Sequence, residues 1–402
     1  MNIKLEPIVR SDYNRECKRF FYKNLNELNA LNGSKNKMKN LLFLIFPMLL
    51  VAQKDKIYLG ADLSYVNEIE DCNAHFQYQG KTVDPFELFA QKGTNLVRLR
   101  LWHTPEINAY SGFADVKKSI KRARQNKMQV LLDFHYSDTW ADPEKQYIPK
   151  AWSTITDEKI LGDSIYNYTL STLLKLHKEN LLPEMVQVGN ETNQEILQPD
   201  KTHKKITDWK RNAFLFNKGI SAVREASRRT GKKIDILLHI AQPENALKWF
   251  AEADKNGIKD FDFIGISYYP LWSEYKFDRL PEAIKTLTTT YKKPLLVVET
   301  SYPYTMQNID KANNVLTEKA LIDGYPATPE GQKKYMIDLT KIVLNAGGSG
   351  VIYWEPAWVT SNCKTLWGDG SHWDNATFFD SANNNEALPA FDFYDIKQYS
   401  KK

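Results

Sequence analysis

The sequence predicts an α/β protein of the (β/α)8 TIM-barrel class, built as one domain, and three observations carry that prediction. From residue 57 onward, short β-branched runs alternate with longer helical patterns, as parallel βα units do. Eight such runs occur, at residues 57–63, 96–101, 130–134, 185–189, 234–239, 263–267, 295–298 and 350–354. The connections that follow the runs are long and rich in Trp, Tyr, His, Asp and Asn, whereas those that precede them are short, as in Gln125-Asn126-Lys127. In a closed parallel barrel that asymmetry puts every elaborated loop on the C-terminal face of the strands. An open doubly wound sheet fits less well, because a dinucleotide fold wants a glycine-rich first turn and Gly60-Ala61-Asp62-Leu63-Ser64 does not supply it.

Taken in order, the first run leads to a helix at 85–91, opened by Pro85, whose missing N–H costs nothing in a first helical turn. The second run, Leu96-Val97-Arg98-Leu99-Arg100-Leu101, places its two arginines on one face by the period of two. After the loop 104–113 comes a helix at 116–125. The third run opens into the long loop 136–163 and a helix at 164–178. The fourth ends on Gly189-Asn190-Glu191, with a loop at 193–208 and a helix at 209–229. The fifth and sixth are followed by helices at 246–256 and 281–288. The seventh, Leu295-Leu296-Val297-Val298, stops on Glu299 and feeds the loop 302–328 and a helix at 329–345. The eighth runs into the tail segment 356–385, and one catalytic domain covers residues 54–402.

The net charge of +5 belongs to the N-terminal leader. Residues 1–53 hold nine Lys/Arg and four Asp/Glu, so the 54 basic and 49 acidic residues of the chain leave 45 of each in the body. A neutral body gives no reason to expect nucleic acid as a partner, and neither a zinc spacing nor a phosphate-cradling glycine loop is present. Met38-Lys39-Asn40 followed by the apolar stretch 41–52 reads as a signal peptide over residues 38–53. About 12 apolar residues are too few to span a bilayer. A buried core helix is the bland alternative. Residues 1–37 read as an upstream extension outside the mature protein. Export to the periplasm, cell surface or medium is therefore expected, with no membrane span and a monomeric product. Removing the leader removes Cys17 and leaves Cys72 and Cys363, an even number. They lie in the loops after the first and last strands, which barrel closure makes neighbours, so a bridge is sterically open; two free thiols are the alternative.

Glu191 and Glu299 are the candidate catalytic residues. Two parallel strands that each end on a glutamate deliver two carboxyl groups to one barrel mouth, the equipment of a retaining glycosidase, in which they sit about 5 to 5.5 Å apart. Taken singly, each glutamate could merely cap its strand in a salt bridge. One arginine of the second run, Arg100 because it lies nearer the strand end, is expected to hold Glu299 ionised. Asn190 is placed to reach the sugar, and His135, His239, Tyr269 and Trp354 close their strands, with a hydrogen-bonded core histidine as the equal alternative for His239. Trp140, Trp152, Trp358 and Trp367 lie in long loops, where aromatic faces suit the apolar faces of pyranose rings, although packing alone would explain about half of them.

At these residues the chain resembles glycoside hydrolase family 53, the endo-β-1,4-galactanases. The motifs are Gly60-Ala61-Asp62-Leu63-Ser64, Val97-Arg98-Leu99-Arg100-Leu101-Trp102, the stretch Asp133-Phe134-His135-Tyr136-Ser137-Asp138-Thr139-Trp140-Ala141-Asp142-Pro143, Gly189-Asn190-Glu191, Ser267-Tyr268-Tyr269-Pro270, Glu299-Thr300-Ser301-Tyr302-Pro303-Tyr304, and Tyr353-Trp354-Glu355-Pro356-Ala357-Trp358. The resemblance implies Glu191 as acid/base, Glu299 as nucleophile, and the galactan side chains of pectin as substrate. The set expected to bind that substrate is Asp62, Arg100, Trp102, His135, Trp140, Asn190, His239, Tyr269, Trp354 and Trp358. It implies no required cofactor; some bacterial relatives hold a structural calcium in the long loops, with ligands that cannot be matched here. A mannanase or xylanase of the same clan and a non-catalytic glycan-binding barrel are the rival readings.

Overall fold

The computed structural model describes residues 56–105, 108–198 and 207–399; the leader readings, Cys17 and much of the loop 193–208 lie outside them. Eight parallel strands close into a barrel: β1 (Tyr58–Asp62), β2 (Leu96–Leu101), β3 (Gln129–Phe134), β4 (Met185–Val188), β5 (Asp235–Ala241), β6 (Phe263–Ser267), β7 (Leu295–Glu299) and β8 (Gly350–Tyr353). β8 pairs with β1, Tyr58 opposite Gly350, which completes the ring. The helices are α1 (Val66–Asp71), α2 (Pro85–Lys92), α3 (Phe113–Gln125), α4 (Glu158–Lys178), α5 (Trp209–Thr230), α6 (Pro243–Lys255), α7 (Leu280–Tyr291) and α8 (Pro329–Asn345). The short helix α1 was not foreseen. α4 starts six residues before its expected position because Asp157 caps it, its carboxylate accepting the N–H groups of Lys159 and Ile160.

Two apolar layers fill the structure. Tyr58, Leu96, Leu131, Met185, Leu237, Phe263, Leu296, Val298 and Ile352 plug the inside of the barrel, and a larger cluster packs between strands and helices. The period of two then dictates what stands above the plug. On the inner face Leu96 is followed by Arg98 and Arg100, Leu131 by Asp133, Met185 by Gln187, and Leu237 by His239. A polar layer therefore sits on an apolar floor. β7 breaks the rule: Ile266 is opposite Val297 but Ser267 is opposite Glu299, so Val298 is an extra residue in the ladder. This irregularity brings Glu299 inward beside Val298, where strict alternation would send it out.

The loops after β1 and β8 are joined twice. Cys72 and Cys363 are disulfide-bonded, with Cα atoms 5.4 Å apart. A small four-stranded sheet pairs Phe76–Tyr78 and Lys81–Val83 with Phe379–Asp380 and Glu386–Ala387. By constraining the unfolded chain, a bridge between such distant residues contributes about 2 to 4 kcal/mol.

Candidate active site

A cleft of about 810 Å³ opens on the C-terminal face of the barrel, lined among others by Asp62, Arg98, Arg100, His135, Trp140, Asn190, Glu191, Tyr269, Glu299 and Trp354. One carboxylate oxygen of Glu191, one of Glu299 and a ring nitrogen of His239 all lie within 4.8 Å of one another. Glu191 is reached through a tight turn after β4. Gly189 has φ 83°, and a Cβ there would meet the Thr192 side chain at 2.7 Å. Glu191 itself has φ 45°, a left-handed conformation that costs a non-glycine residue free energy and marks functional turns. The buried side-chain amide of Gln146 holds the turn, donating to the Asn190 carbonyl at 2.8 Å.

The two carboxyl groups sit in different surroundings. Glu299 accepts from Arg98 Nη2 on Oε1 at 2.8 Å and from the Tyr269 hydroxyl on Oε2 at 3.3 Å. Glu191 accepts on Oε1 from the Ser267 hydroxyl, and is partly open to the cleft. Burial and the nearby Glu299 hold Glu191 well above the usual carboxylate range. Burial raises Glu299 up to about 7, with Arg98 pulling the other way. Because the two titrate as a pair, the proton rests on the one without a cation against it, Glu191. The arrangement provides one acid and one anion at the spacing of a retaining pair.

Arg98, not Arg100, is the residue that holds Glu299. Its guanidinium contacts Asp62, Asp133 and Glu299, each at 2.8 Å, and donates to Asn190 Oδ1 at 2.6 Å and Gln187 Oε1 at 3.1 Å. It stays cationic because Asp133, Glu299 and Asp62 outweigh the cost of its burial. A long side chain carries its charge well above its own Cα, so the arginine one step deeper in the strand reaches the carboxylate. Arg100, one step higher, is carried past it to Glu355 at 3.3 Å and lies over the Trp140 ring at 4.2 Å.

Three expected substrate contacts are absent from the cleft lining. Trp102 is buried and donates from Nε1 to His135 Nδ1 at 3.3 Å. Trp358 stacks on Tyr65 with ring centroids 4.1 Å apart, and is core. His239 is fully buried between the amides of Gln187 and Asn190 and the Ser267 hydroxyl. Burial holds its ring well below the usual histidine range, so it is neutral. His135 does reach the cleft; its Nε2 donates to Asp133 Oδ2 at 3.0 Å because Nδ1 already accepts from Trp102 and the Ala141 N–H. Of the loop tryptophans, Trp140 and Trp367 line the cleft while Trp152 packs against His103 and Tyr168. The residue-level reading missed Trp272, Trp373, Gln242 and Asn245, which also line it. Trp373 sits in the segment 356–385 that was expected to form the cleft, whereas Trp272 sits in the connection after β6, which was not singled out, and no periodicity distinguishes either.

Two acidic side chains of the loops after β7 and β8 are engaged by donors of the protein itself. Asp374 accepts the N–H groups of Ile309 and Asp310 and the Thr360 hydroxyl on one oxygen, and Asn314 on the other. Asp310 accepts the N–H groups of Ala312 and Ser371.

The model of glycosyl hydrolase family 53 matches residues 58–394. The chain is 58% identical to the arabinogalactan endo-beta-1,4-galactanase of Cellvibrio japonicus (strain Ueda107), over 86% of this chain and 92% of that protein. It is 39% identical to the endo-beta-1,4-galactanase of Bacillus subtilis (strain 168), over 76% and 71% of the respective lengths. The solved catalytic domain from Ignisphaera aggregans superposes with a TM-score of 0.77 at 29% identity, covering 86% of this chain and 97% of that domain.

Proposed function

Since the chain belongs to glycosyl hydrolase family 53, we propose that it is a retaining endo-β-1,4-galactanase acting on pectic galactan and type I arabinogalactan, with Glu191 as acid/base and Glu299 as nucleophile. The observation that carries the roles is the carboxyl pair within 4.8 Å, one member paired with Arg98 and the other not. Glu299 attacks the anomeric carbon while Glu191 protonates the departing glycosidic oxygen. Glu191 then takes a proton from the water that releases the galactosyl group from Glu299. The indole of Trp354 lines the cleft and offers an apolar face to a sugar ring.

The test is reducing-end release on a panel of galactan, mannan and xylan, with the first product followed by proton NMR. Galactan is cleaved and the initial anomer is β. Cleavage of mannan or xylan in preference to galactan overturns the substrate, and early accumulation of α product overturns the mechanism.

The reading extends to location: residues 38–53 act as a secretion signal and the barrel works outside the cytoplasm. The Cys72–Cys363 bond supports this, because such bonds persist in oxidising compartments. N-terminal sequencing of protein recovered from the producing cell should start near Gln53; a mature chain that keeps residues 41–52 refutes the signal.

A further inference from the structure

We propose that Ser267 and His239 form a positioning pair that keeps the acid proton of Glu191 on the oxygen facing the cleft. The proposal rests on the galactanase reading above and deepens it.

The geometry is a chain of buried groups running back from the acid. Ser267 Oγ donates to Glu191 Oε1, and His239 Nε2 lies 2.8 Å from Ser267 Oγ on its other side. Both Ser267 and His239 are fully buried, so neither touches substrate and neither can be replaced in its contacts by solvent. With the hydroxyl proton of Ser267 committed to Glu191, His239 Nε2–H is the donor to Ser267 Oγ. Nδ1 of the neutral ring is then the acceptor, from the Gln187 side-chain amide at 3.1 Å and from the Glu191 N–H at 3.4 Å, while Asn190 Oδ1, which accepts from Arg98, is a 2.9 Å contact and not a hydrogen-bond partner of the ring; the ring thus braces the main chain of Glu191 as well as its side chain.

The backbone is arranged for this contact. Ser267 ends β6 on the inner face, two steps above Phe263 by way of Gly265, and lies opposite Glu299 where the β6–β7 register shifts. Its carbonyl is tied to the Gln242 N–H at 3.1 Å, which pins the strand end. A carboxyl group has two oxygens, and a general acid works only if its proton is on the one that meets the leaving oxygen. A donor fixed on Oε1 makes protonation of that oxygen unfavourable and leaves Oε2 to carry the proton. The same donor stabilises the carboxylate that remains once the proton has gone to the leaving group.

The experiment compares Ser267→Ala with wild type on galactan and on an aryl β-galactoside whose leaving group needs no protonation. The charged and titratable groups facing Glu191 are Glu299 on β7, Arg98 on β2, Asp142 after β3, Tyr269 after β6 and His239 on β5, and the substitution leaves all of them in place. On galactan, kcat falls roughly 10- to 100-fold with KM within about twofold, as expected for a misdirected catalytic group. On the aryl substrate kcat/KM is nearly unchanged, which shows that the barrel and nucleophile are intact. Losing a donor to the carboxylate raises the pKa of Glu191, so the alkaline limb of the galactan profile moves to higher pH even as the rate drops. Equal losses on both substrates, an unchanged rate on galactan, or an alkaline limb that stays in place each overturn the proposal. Wild-type enzyme that leaves galactan intact instead overturns the reading beneath it.

Discussion

Glu299→Ala is expected to lower galactan turnover on the order of 10⁴-fold or more while the protein stays folded. Without the carboxylate no covalent galactosyl intermediate forms, and no base is left on that side of the sugar to activate a water in its place. The loss falls on kcat, because the bond to Glu299 is made only in the transition state and after it. Folding survives for a reason visible in the network: Arg98 keeps Asp62 and Asp133, each at 2.8 Å, so the substitution does not strand a buried cation. It also removes a carboxyl group that burial already disfavours as an anion. Initial rates on galactan, paired with a thermal melt, check both halves. Activity within tenfold of wild type would remove Glu299 from the mechanism.

Arg98→Met has the larger structural consequence. It takes the shared cation from Asp62, Asp133 and Glu299, all buried in the barrel mouth. Breaking a buried pair from one side costs about 3 to 5 kcal/mol. Arg98 lowers the pKa of Glu299, so its removal carries the nucleophile further above the usual carboxylate range. The acidic limb of kcat/KM, where Glu299 becomes protonated and inert, therefore moves to higher pH. Stability follows the same sign. Carboxyl groups whose folded pKa is raised favour the native state while protonated, so the variant should melt at a lower temperature as pH rises from mildly acidic to mildly alkaline. Arg100→Met serves as the comparison. It unpairs Glu355, which burial and Asp62 already hold well above the usual carboxylate range, and leaves Glu299 with its cation. If Arg100→Met, rather than Arg98→Met, displaces the acidic limb, the assignment of the Glu299 partner is wrong.

The strands were legible to within a residue or two because each is a short β-branched run flanked by polar turns, and in a barrel buried on both faces that composition is what the environment demands. Helix starts were less legible. α3 begins at Phe113 and α6 at Pro243, three residues before the apolar periodicity begins, because first turns are set by caps and prolines rather than by the buried stripe. The candidate pair was readable for a related reason: a charged residue at the end of an apolar strand has few places to be except the barrel mouth.

Local pattern alone therefore determined the barrel, the face that carries the loops, and the two glutamates, one just after β4 and one ending β7. The tertiary structure decided what each neighbour does. Which arginine meets Glu299 depends on the relative height of β2 and β7, a property of barrel stagger and of the extra residue Val298. Whether His239 faces substrate or stands behind the acid depends on Ser267, which comes from a different strand. Trp358 and Trp367 share one loop, yet one stacks in the core on Tyr65 and the other lines the cleft. Periodicity specifies a face of a strand because it is a one-dimensional property of the chain; the distance between groups on different strands is set only when the ring closes.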